Sequence, residues 1–413
     1  MKSIGFLTSF HNINGTLNIR KELFESFSKK LKITYIINTD NLVFFPKLAD
    51  KIYHRSFYQD RVNQKLPNNI KLINPKNELE FCKFVKNKQL IAINNFGKNF
   101  FELKIRFLLK KLNIRQIYID NLGGIGMNAH FDKNNLLKNF YYQIFQNLFK
   151  KIITPSLVFF GIISRQEVSF VSKKKELNFL KKNFIKNFLF RNQLLFSKKY
   201  ILVNSRSYDV YLDKKKNLKQ KYIVHLDVEM NGRHEMETRG KLSKSRVDNH
   251  YFHLNNFLKK ISNDFNKPVV VCIHPSIKKS DVKKFKKSGY LKDFKIFQYR
   301  TREFIYDSFI VTNFDTSAIV DAAIAQKRII GLWSKYMDNN QIEHSKIYPK
   351  VINYKRINFE NFNYEIDKNY FIKDLDKQVF NYNKYLNQYH IHKKNTKGID
   401  QIIDYLKNEY HIN

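Results

Sequence analysis

Apolar runs typical of buried strands alternate with amphipathic stretches along the first 120 residues. Alternation at this spacing implies βαβ units and a largely parallel sheet that helices cover on both faces. The pattern predicts strands over residues 4–8, 33–38, 70–73, 90–94 and 116–120, and helices over 17–31, 78–85 and 100–112. A longer helix over 134–151 and one more strand over 156–161 follow.

The same alternation resumes near residue 200. It predicts strands over 200–203, 222–227, 268–273, 295–298, 309–313 and 328–332, and helices over 249–266, 281–287, 301–307 and 316–325. Residues 368–413 are rich in Lys and Asn, and we expect them to be helical and to fold back over the first domain.

These patterns predict an α/β protein with two Rossmann-like domains that face each other across a cleft. The N-terminal domain is expected over residues 1–212 and the C-terminal domain over 213–367, followed by the helical segment 368–413. Open parallel sheets bind ligands beyond the carboxyl ends of their strands, so candidate functional residues are sought at those positions.

Residues 173–199 combine apolar positions at near-helical spacing with many basic residues. A basic amphipathic helix of this kind can lie on an anionic membrane surface. The interpretation we prefer is that the helix docks on its own domain with its lysines in water.

The charge balance is strongly basic, with 75 Lys and Arg against 36 Asp and Glu and a net charge of +39. Such an excess attracts phosphorylated substrates, anionic membranes or nucleic acid. Enrichment in residues encoded by AT-rich codons accounts for part of the lysine content, and we place nucleic acid last among the partners. Hydrophobic residues make up 43% of the chain, which argues against disorder.

Neither a signal peptide nor a membrane span is indicated by the apolar runs. The run at residues 4–7 is too short for a signal peptide, and no stretch reaches the roughly 18–20 apolar residues that span a bilayer. We therefore expect a cytoplasmic protein, with peripheral contact on the inner membrane face left open.

Two segments of the second domain are candidates for binding phosphate. His274, Pro275 and Ser276 directly follow the predicted strand 268–273, where an imidazole can donate to a phosphate or a leaving-group oxygen. Thr316 and Ser317 open the predicted helix 316–325, whose free N–H groups and dipole favour anions. A turn histidine and ordinary helix capping are the alternative interpretations.

Further candidates lie at other predicted strand ends and helix starts. Arg302 opens the predicted helix 301–307 and is a possible cationic contact. Asp227 ends the predicted strand 222–227 and is a further candidate catalytic residue. Glu229 and His234 follow it in the expected cleft, where such groups can orient an acceptor or take a proton. In the first domain, His11 and Asp120 are candidates for a catalytic base because both hold strand-end positions.

Several sharper motifs are missing from the sequence. It contains no Walker A loop, and the glycine-rich residues 121–126 lack the G-x-G-x-x-G spacing of dinucleotide sites. Asp374 and Asp376 match a metal-binding Asp-x-Asp pattern, but their polar surroundings favour surface charge. No His/Cys cluster has metal-ligand spacing, so we expect neither a metal nor another cofactor.

The ordered motifs of the second half resemble those of bacterial surface-carbohydrate biosynthesis proteins, a family of capsule and lipopolysaccharide glycosyltransferases of the GT-B type. The matching segments are 204–212, 225–227, His234-Glu235, 251–258, 270–276, 301–305 and 311–323. The His-Pro and Ser/Thr pairing is also similar to that of bacterial sialyltransferases and polyol-phosphate polymerases. This resemblance implies that His274, Thr316 and Ser317 contact the phosphates of a nucleotide-activated donor.

The resemblance leads to the expectation of a glycosyltransferase. It would move a sugar from a nucleotide-sugar donor on the second domain to a lipid-linked or oligosaccharide acceptor on the first. The alternatives are a polyol-phosphate transferase that handles a CDP-glycerol-like donor at the same phosphate site, and a non-enzymatic protein that binds polyanions.

Overall fold

The computed structural model describes residues 2–8, 21–45, 66–94, 100–120, 148, 152–174, 177, 197–215, 219–228, 242–273, 279–363 and 367–412. These residues form two compact units. The first contains the described residues up to Asp209 and those from Ile391 onward, and the second extends from Val210 to His390.

The first unit is built on a seven-stranded parallel sheet in the order β3-β2-β1-β4-β5-β6-β7. Its strands are β1 Ser3–Thr8, β2 Thr34–Asn38, β3 Ile70–Ile73, β4 Leu90–Asn94, β5 Gln116–Asp120, β6 Gln166–Val171 and β7 Ser197–Leu202. The helices that accompany these strands are α1 Lys21–Lys30, α2 Glu78–Asn87, α3 Phe100–Lys111, α4 Thr154–Phe159 and α5 Arg206–Lys214. The last of them, α5, continues into the second unit, which begins at Val210.

The second unit contains a six-stranded parallel sheet in the order β10-β9-β8-β11-β12-β13. Its strands are β8 Tyr222–Asp227, β9 Val269–Ile273, β10 Lys295–Gln298, β11 Ser308–Asn313, β12 Arg328–Trp333 and β13 Lys355–Asn358. Its helices are α6 Lys244–Phe265, α7 Lys279–Lys287, α8 Thr301–Tyr306, α9 Ile319–Ile324, α10 Asn339–His344 and α11 Lys368–Tyr389, with a π turn at Pro349–Asn353.

Both sheets have the Rossmann strand order, in which the first strand lies between the second and the fourth. The predicted α/β class with two Rossmann-like domains is therefore confirmed. Among the described residues, no helix is long and apolar enough to cross a membrane.

The last helix, α12 Gly398–Tyr410, belongs to the first unit although α11 belongs to the second. Its apolar residues recur at helical spacing and pack into the core formed by β1, β4 and α1; they are Ile399, Ile402, Ile403 and Leu406. The Asp209 carboxylate accepts hydrogen bonds from the first two amides of the helix, at 2.6 Å from Gly398 N and 3.0 Å from Ile399 N. The expected return of residues 368–413 to the first domain is thus found for α12, whereas α11 stays with the second unit.

Several elements of the structure differ from the sequence predictions. Residues 156–161, predicted as a strand, belong largely to α4, which begins at Thr154-Pro155 because proline is favoured in a first helical turn. The strands β6 and β13 were not predicted. In β6, the buried polar residues Gln166 and Ser169 interrupt the apolar pattern. Gln166 Oε1 accepts hydrogen bonds from Ser169 Oγ at 3.3 Å and from Ser197 Oγ of β7 at 3.1 Å.

Other expectations lie outside the described residues. They concern the helix 134–151, except residue 148, most of the basic segment 173–199 and the glycine-rich residues 121–126.

Candidate functional site

The strand order of the second sheet reverses between β8 and β11, which pair in parallel with Leu226 opposite Asn313. At such a reversal the connections leave in opposite directions, and the space beyond the carboxyl ends of the two strands is the usual ligand site of a Rossmann sheet. We call this region of the second unit the switch-point edge. It contains Asp227 at the end of β8 and residues 314–317 after β11.

Asp227 is buried at the switch-point edge, with 3% of its surface exposed. Its Oδ2 accepts a hydrogen bond from the Tyr251 hydroxyl at 3.3 Å, and its Oδ1 lies 3.7 Å from His225 Nε2. A buried carboxylate needs such partners because leaving it unpaired is costly. The contacts hold the carboxylate in one orientation beneath α6.

His225 connects this carboxylate to the neighbouring strand. Its Nδ1 lies 2.9 Å from the Thr312 hydroxyl, and its ring meets the Phe314 ring edge-on at 5.2 Å. Residues two apart on a strand face the same side, which places His225 and Asp227 together under α6. A polar chain thus runs from Thr312 through His225 and Asp227 to Tyr251.

His250 is a buried residue of this region that the sequence analysis missed. It lies on α6, and its Nδ1 is 3.2 Å from the Ser334 hydroxyl at the carboxyl end of β12. Burial lowers the pKa of His250 to about 3, although the nearby Asp227 charge acts in the opposite direction. Helical spacing from the buried residues Val247 and Leu254 was the signal that could have placed it on the inner side of α6.

Thr316 and Ser317 lie in the turn after β11 and not in a helix, because α9 begins only at Ile319. The Thr316 hydroxyl accepts a hydrogen bond from Ala318 N at 3.3 Å, and the Thr316 carbonyl accepts one from Ile319 N at 3.2 Å. Ser317 is exposed to solvent. The predicted helix 316–325 is therefore shorter than expected, but both residues stand beyond the carboxyl end of β11, as expected.

The same turn carries a carboxylate that was not predicted. Asp315 Oδ2 lies 3.3 Å from His344 Nδ1, and both side chains are largely buried. His344 is the last residue of α10, so this pair joins the turn after β11 to a helix of the next connection.

Arg302 is placed differently from the other candidates of the second domain. Its Nε donates to Asp321 Oδ2 at 3.0 Å, and it lines a cavity of about 610 Å³ together with Lys214, Lys219 and Asp307. Lys219 stands three positions before β8, and Asp307 directly precedes β11, so this cavity lies toward the amino ends of the strands. The structure thus brings Arg302 together with Asp321 and not with the turn that contains Thr316.

Asp120 occupies the predicted position at the carboxyl end of β5 in the first unit. Its side chain is partly exposed, and its Oδ2 lies 3.8 Å from Lys173 Nζ. The remaining predicted residues lie outside the described part of the chain: His11, Glu229, His234, His274, Pro275 and Ser276.

Asp374 and Asp376 both form ion pairs within the second unit. Lys355 Nζ lies 3.2 Å from Asp374 Oδ2, and Arg328 donates to both carboxylate oxygens of Asp376 at 2.7 and 3.1 Å. In the part of the chain that the structure describes, no three His, Cys, Asp or Glu residues are arranged to hold a metal ion.

Comparison with known proteins finds no matching family model and no matching curated protein. Similar solved structures include UDP-GlcNAc 2-epimerase of Methanocaldococcus jannaschii in complex with UDP-GlcNAc and UDP, at 14% identity over 99% of this chain and 100% of that one, with a TM-score of 0.44. Another is the S. aureus MnaA–UDP co-structure, at 10% identity over 100% and 97% of the chains and a TM-score of 0.48.

WaaG, a glycosyltransferase involved in lipopolysaccharide biosynthesis, is similar at 10% identity over 97% of this chain and 98% of its own, with a TM-score of 0.40. These identities and TM-scores are low, so the strand order of the two sheets is the evidence for two Rossmann-like units.

Proposed function

We propose that the chain is a glycosyltransferase that uses a nucleotide-sugar donor. The observation that carries the proposal is the switch-point edge of the second sheet, where the β8 and β11 ends present Asp227 and the turn of Thr316 and Ser317. Rossmann sheets hold nucleotide phosphates at this place, and the hydroxyls of the partly exposed Thr316 and the exposed Ser317 suit phosphate oxygens.

In the proposed reaction the donor phosphates lie beyond β11, against Thr316, Ser317 and the segment that begins at His274. An acceptor hydroxyl forms a bond to the anomeric carbon of the sugar while the bond from that carbon to the phosphate oxygen breaks. Asp120 or His11 is proposed as the base that takes the hydroxyl proton. The nucleotide leaves with the phosphate, and the reaction needs no resident cofactor.

We assign Asp227 a positioning role within this proposal. Its carboxylate is held by Tyr251 and lies beside His225 under α6, so it can orient the carboxyl end of β8 and the chain that follows. Arg302 is proposed to act indirectly, since its ion pair with Asp321 links α8 to α9, the helix that follows the Thr316 turn.

The proposed acceptor is lipid-linked or an oligosaccharide, and the proposed pathway is surface polysaccharide biosynthesis on the cytoplasmic side of the inner membrane. The motifs that resemble surface-carbohydrate proteins support this assignment, and the net charge of +39 suits a substrate that is presented among anionic lipids.

The experiment is a panel of nucleotide sugars incubated with the full chain and membrane lipid extract, with release of the free nucleotide as the readout. We expect one donor to release nucleotide faster in the presence of the acceptor extract. Asp120→Asn should lower this rate by about a hundredfold or more if Asp120 is the base. The exposed Asp404→Asn on α12 serves as the matched control. The absence of donor-specific release across the panel would contradict the proposal.

A further inference from the structure

The cavity that Arg302 lines in the second unit lies at the edge where the strands begin, opposite to the switch-point edge. We call it the amino-edge cavity. Its volume of about 610 Å³ is within the range of sites that hold one small molecule. Its wall is formed by the end of α5, by Lys219 and by α8 with the residue that follows it. Since β8 and β11 have six residues each, they separate the cavity from the proposed donor site by about 20 Å.

Contacts within the second unit hold the wall of the amino-edge cavity in place. The Lys219 carbonyl accepts a hydrogen bond from Lys327 Nζ at 3.0 Å, and Lys327 is buried, with 7% of its surface exposed. The Asp307 carbonyl accepts a hydrogen bond from Lys221 N at 2.8 Å. The backbone is thereby fixed at two points of the wall, and a wall that is ordered in advance lowers the cost of binding a ligand.

The two carboxylates of the wall each have a cation close to them. Glu303 Oε2 accepts a hydrogen bond from Arg300 Nε at 2.9 Å. Burial lowers the pKa of Lys327 to about 8, and the nearby negative charge of Asp307 opposes this fall. The carboxylates are therefore compensated from outside the cavity, as Arg302 is by Asp321.

Two lysines of the wall have no such partner. Lys214, the last residue of α5, and Lys219 are both exposed, and neither forms an ion pair with a carboxylate among the residues that the structure describes. Two ammonium groups on one cavity favour a ligand with two negative charges. A phosphomonoester carries nearly two charges at neutral pH, and its oxygens accept strong hydrogen bonds from ammonium groups.

The rest of the wall suits a hydroxylated carbon skeleton. Glu303 and Asp307 can only accept hydrogen bonds when ionised, so they suit the hydroxyls of a ligand and repel a second anionic group. Val210 and Tyr306 add apolar surface, against which the carbon atoms of a small ligand can pack. This combination of two lysines, two carboxylates and an apolar part favours a sugar phosphate over phosphate alone.

We propose that the amino-edge cavity is a binding site for a sugar phosphate. The phosphate contacts Lys214 and Lys219, and the hydroxyls donate to Glu303 and Asp307. This is a second site of the second unit, and the inference does not depend on the proposed function, because the Thr316 turn is not part of the wall.

The test is isothermal titration calorimetry of the full chain with ribose 5-phosphate, compared with ribose and with inorganic phosphate. The variant is Lys214→Gln/Lys219→Gln, which removes both charges from exposed side chains and should leave the melting temperature close to that of the wild type. The matched control is Lys286→Gln/Lys287→Gln, which changes two exposed lysines on α7 of the same unit.

We expect the wild type to bind ribose 5-phosphate, and Lys214→Gln/Lys219→Gln to bind it about tenfold or more weakly, since two charge-assisted contacts are lost. The control variant should bind like the wild type, and so should Thr316→Val/Ser317→Ala, which changes the proposed donor site. Ribose and inorganic phosphate should each bind the wild type about tenfold or more weakly than ribose 5-phosphate, because each makes only part of the contacts.

Three results would overturn the inference. The first is a wild type that does not bind ribose 5-phosphate, or that binds it no more tightly than Lys214→Gln/Lys219→Gln does. The second is equal affinity for ribose 5-phosphate and inorganic phosphate, since the carboxylates and the apolar surface would then contribute nothing. The third is loss of binding in Thr316→Val/Ser317→Ala alone, which would place the sugar phosphate at the switch-point edge. Nucleotide release is measured separately, so either proposal can fail while the other stands.

Discussion

At the scale of single residues, the second unit buries three titratable side chains on α6 or beneath it. His225, Asp227 and His250 are each at most 3% exposed, yet they lie at the edge of the sheet where the candidate site is. Buried polar groups are normally retained where hydrogen bonds satisfy them, and partly satisfied networks are costly. The network around Asp227 therefore favours one fixed arrangement of the switch-point edge.

His250 gives this network a testable dependence on pH. Its pKa falls from 6.5 to about 3 on folding because the ring is buried. Between these two pH values the unfolded chain binds a proton at His250 that the folded chain does not bind. The contribution of the neutral His250 ring to the free energy of unfolding is complete above the pKa of the unfolded chain and is lost as the pH falls below it. Between about pH 6.5 and about pH 4, the wild type should lose about 3 kcal/mol of unfolding free energy relative to His250→Gln.

Urea denaturation at several pH values measures this difference. His253→Gln, three positions along the same helix and partly exposed, should keep the dependence of the wild type. Parallel pH profiles for the wild type and His250→Gln would show that the buried ring does not resist protonation.

Asp209 in the first unit predicts the opposite trend. Burial raises the pKa of its carboxyl from 3.8 to about 7, against the two amide hydrogen bonds from α12 that favour the charged form. A carboxyl whose pKa is raised by folding contributes most to stability below its pKa in the unfolded chain. This contribution is lost as the pH rises through its pKa in the folded chain. Relative to Asp209→Asn, the wild type should therefore lose unfolding free energy as the pH rises from about 4 to about 7.

The matched control is Asp404→Asn, which changes an exposed carboxylate on α12. It should keep the pH dependence of the wild type. Parallel pH profiles for the wild type and Asp209→Asn would show that the carboxyl of Asp209 is not the group responsible.

The candidate site could be predicted only where strand ends identify it. Asp227, Thr316 and Ser317 were found because they follow apolar runs, and the structure places them beyond or at the carboxyl ends of β8 and β11. His250 was not found because its burial depends on which side of α6 faces the sheet. Arg302 was expected to be a cationic contact in the cleft, but it pairs with Asp321 on another helix, which the sequence pattern does not show.

At the scale of elements, five short strands were the most predictable features. The bounds of β3, β4, β5, β8 and β10 agree with the sequence pattern, since each is a short segment rich in β-branched or aromatic residues. The predictions failed where burial did not follow polarity: β6 contains the buried polar residues Gln166 and Ser169, and the apolar run of α4 is exposed in part. Local patterns cannot show which polar groups find partners across strands.

The attachment of α12 to the first unit depends on a close backbone approach at Gly398. A Cβ atom there would lie 2.0 Å from the Asn204 carbonyl oxygen, which belongs to the backbone and cannot rotate away. Gly398→Ala should therefore destabilise the first unit by about 3 kcal/mol or more, as overpacking of a tight site does. Urea denaturation followed by circular dichroism provides the measurement.

Gly289→Ala is a suitable comparison for this substitution. Gly289 has a φ of +80° and open space around its Cβ position, so alanine there costs only the backbone term of about 1 kcal/mol. Equal destabilisation by the two substitutions would show that α12 does not pack closely against Asn204.

At the scale of the whole molecule, the net charge of +39 and the proposed phosphate site predict different responses to salt. Binding through many surface lysines weakens steeply as salt rises because counterions are released. A nucleotide held at the switch-point edge depends on few charges and should lose much less affinity. We expect salt to release the chain from a heparin column at concentrations where the bound nucleotide still raises the melting temperature.

The most direct test of the central claim is the melting temperature of the wild type with a panel of nucleoside mono- and diphosphates. At least one nucleotide should raise it, and the rise should be smaller in Thr316→Val/Ser317→Ala, which removes both hydroxyls after β11. Thr396→Val, the same change in a turn of the first unit, should keep the full rise. A panel in which no nucleotide raises the melting temperature of the wild type would contradict the account, as would an undiminished rise in the double variant.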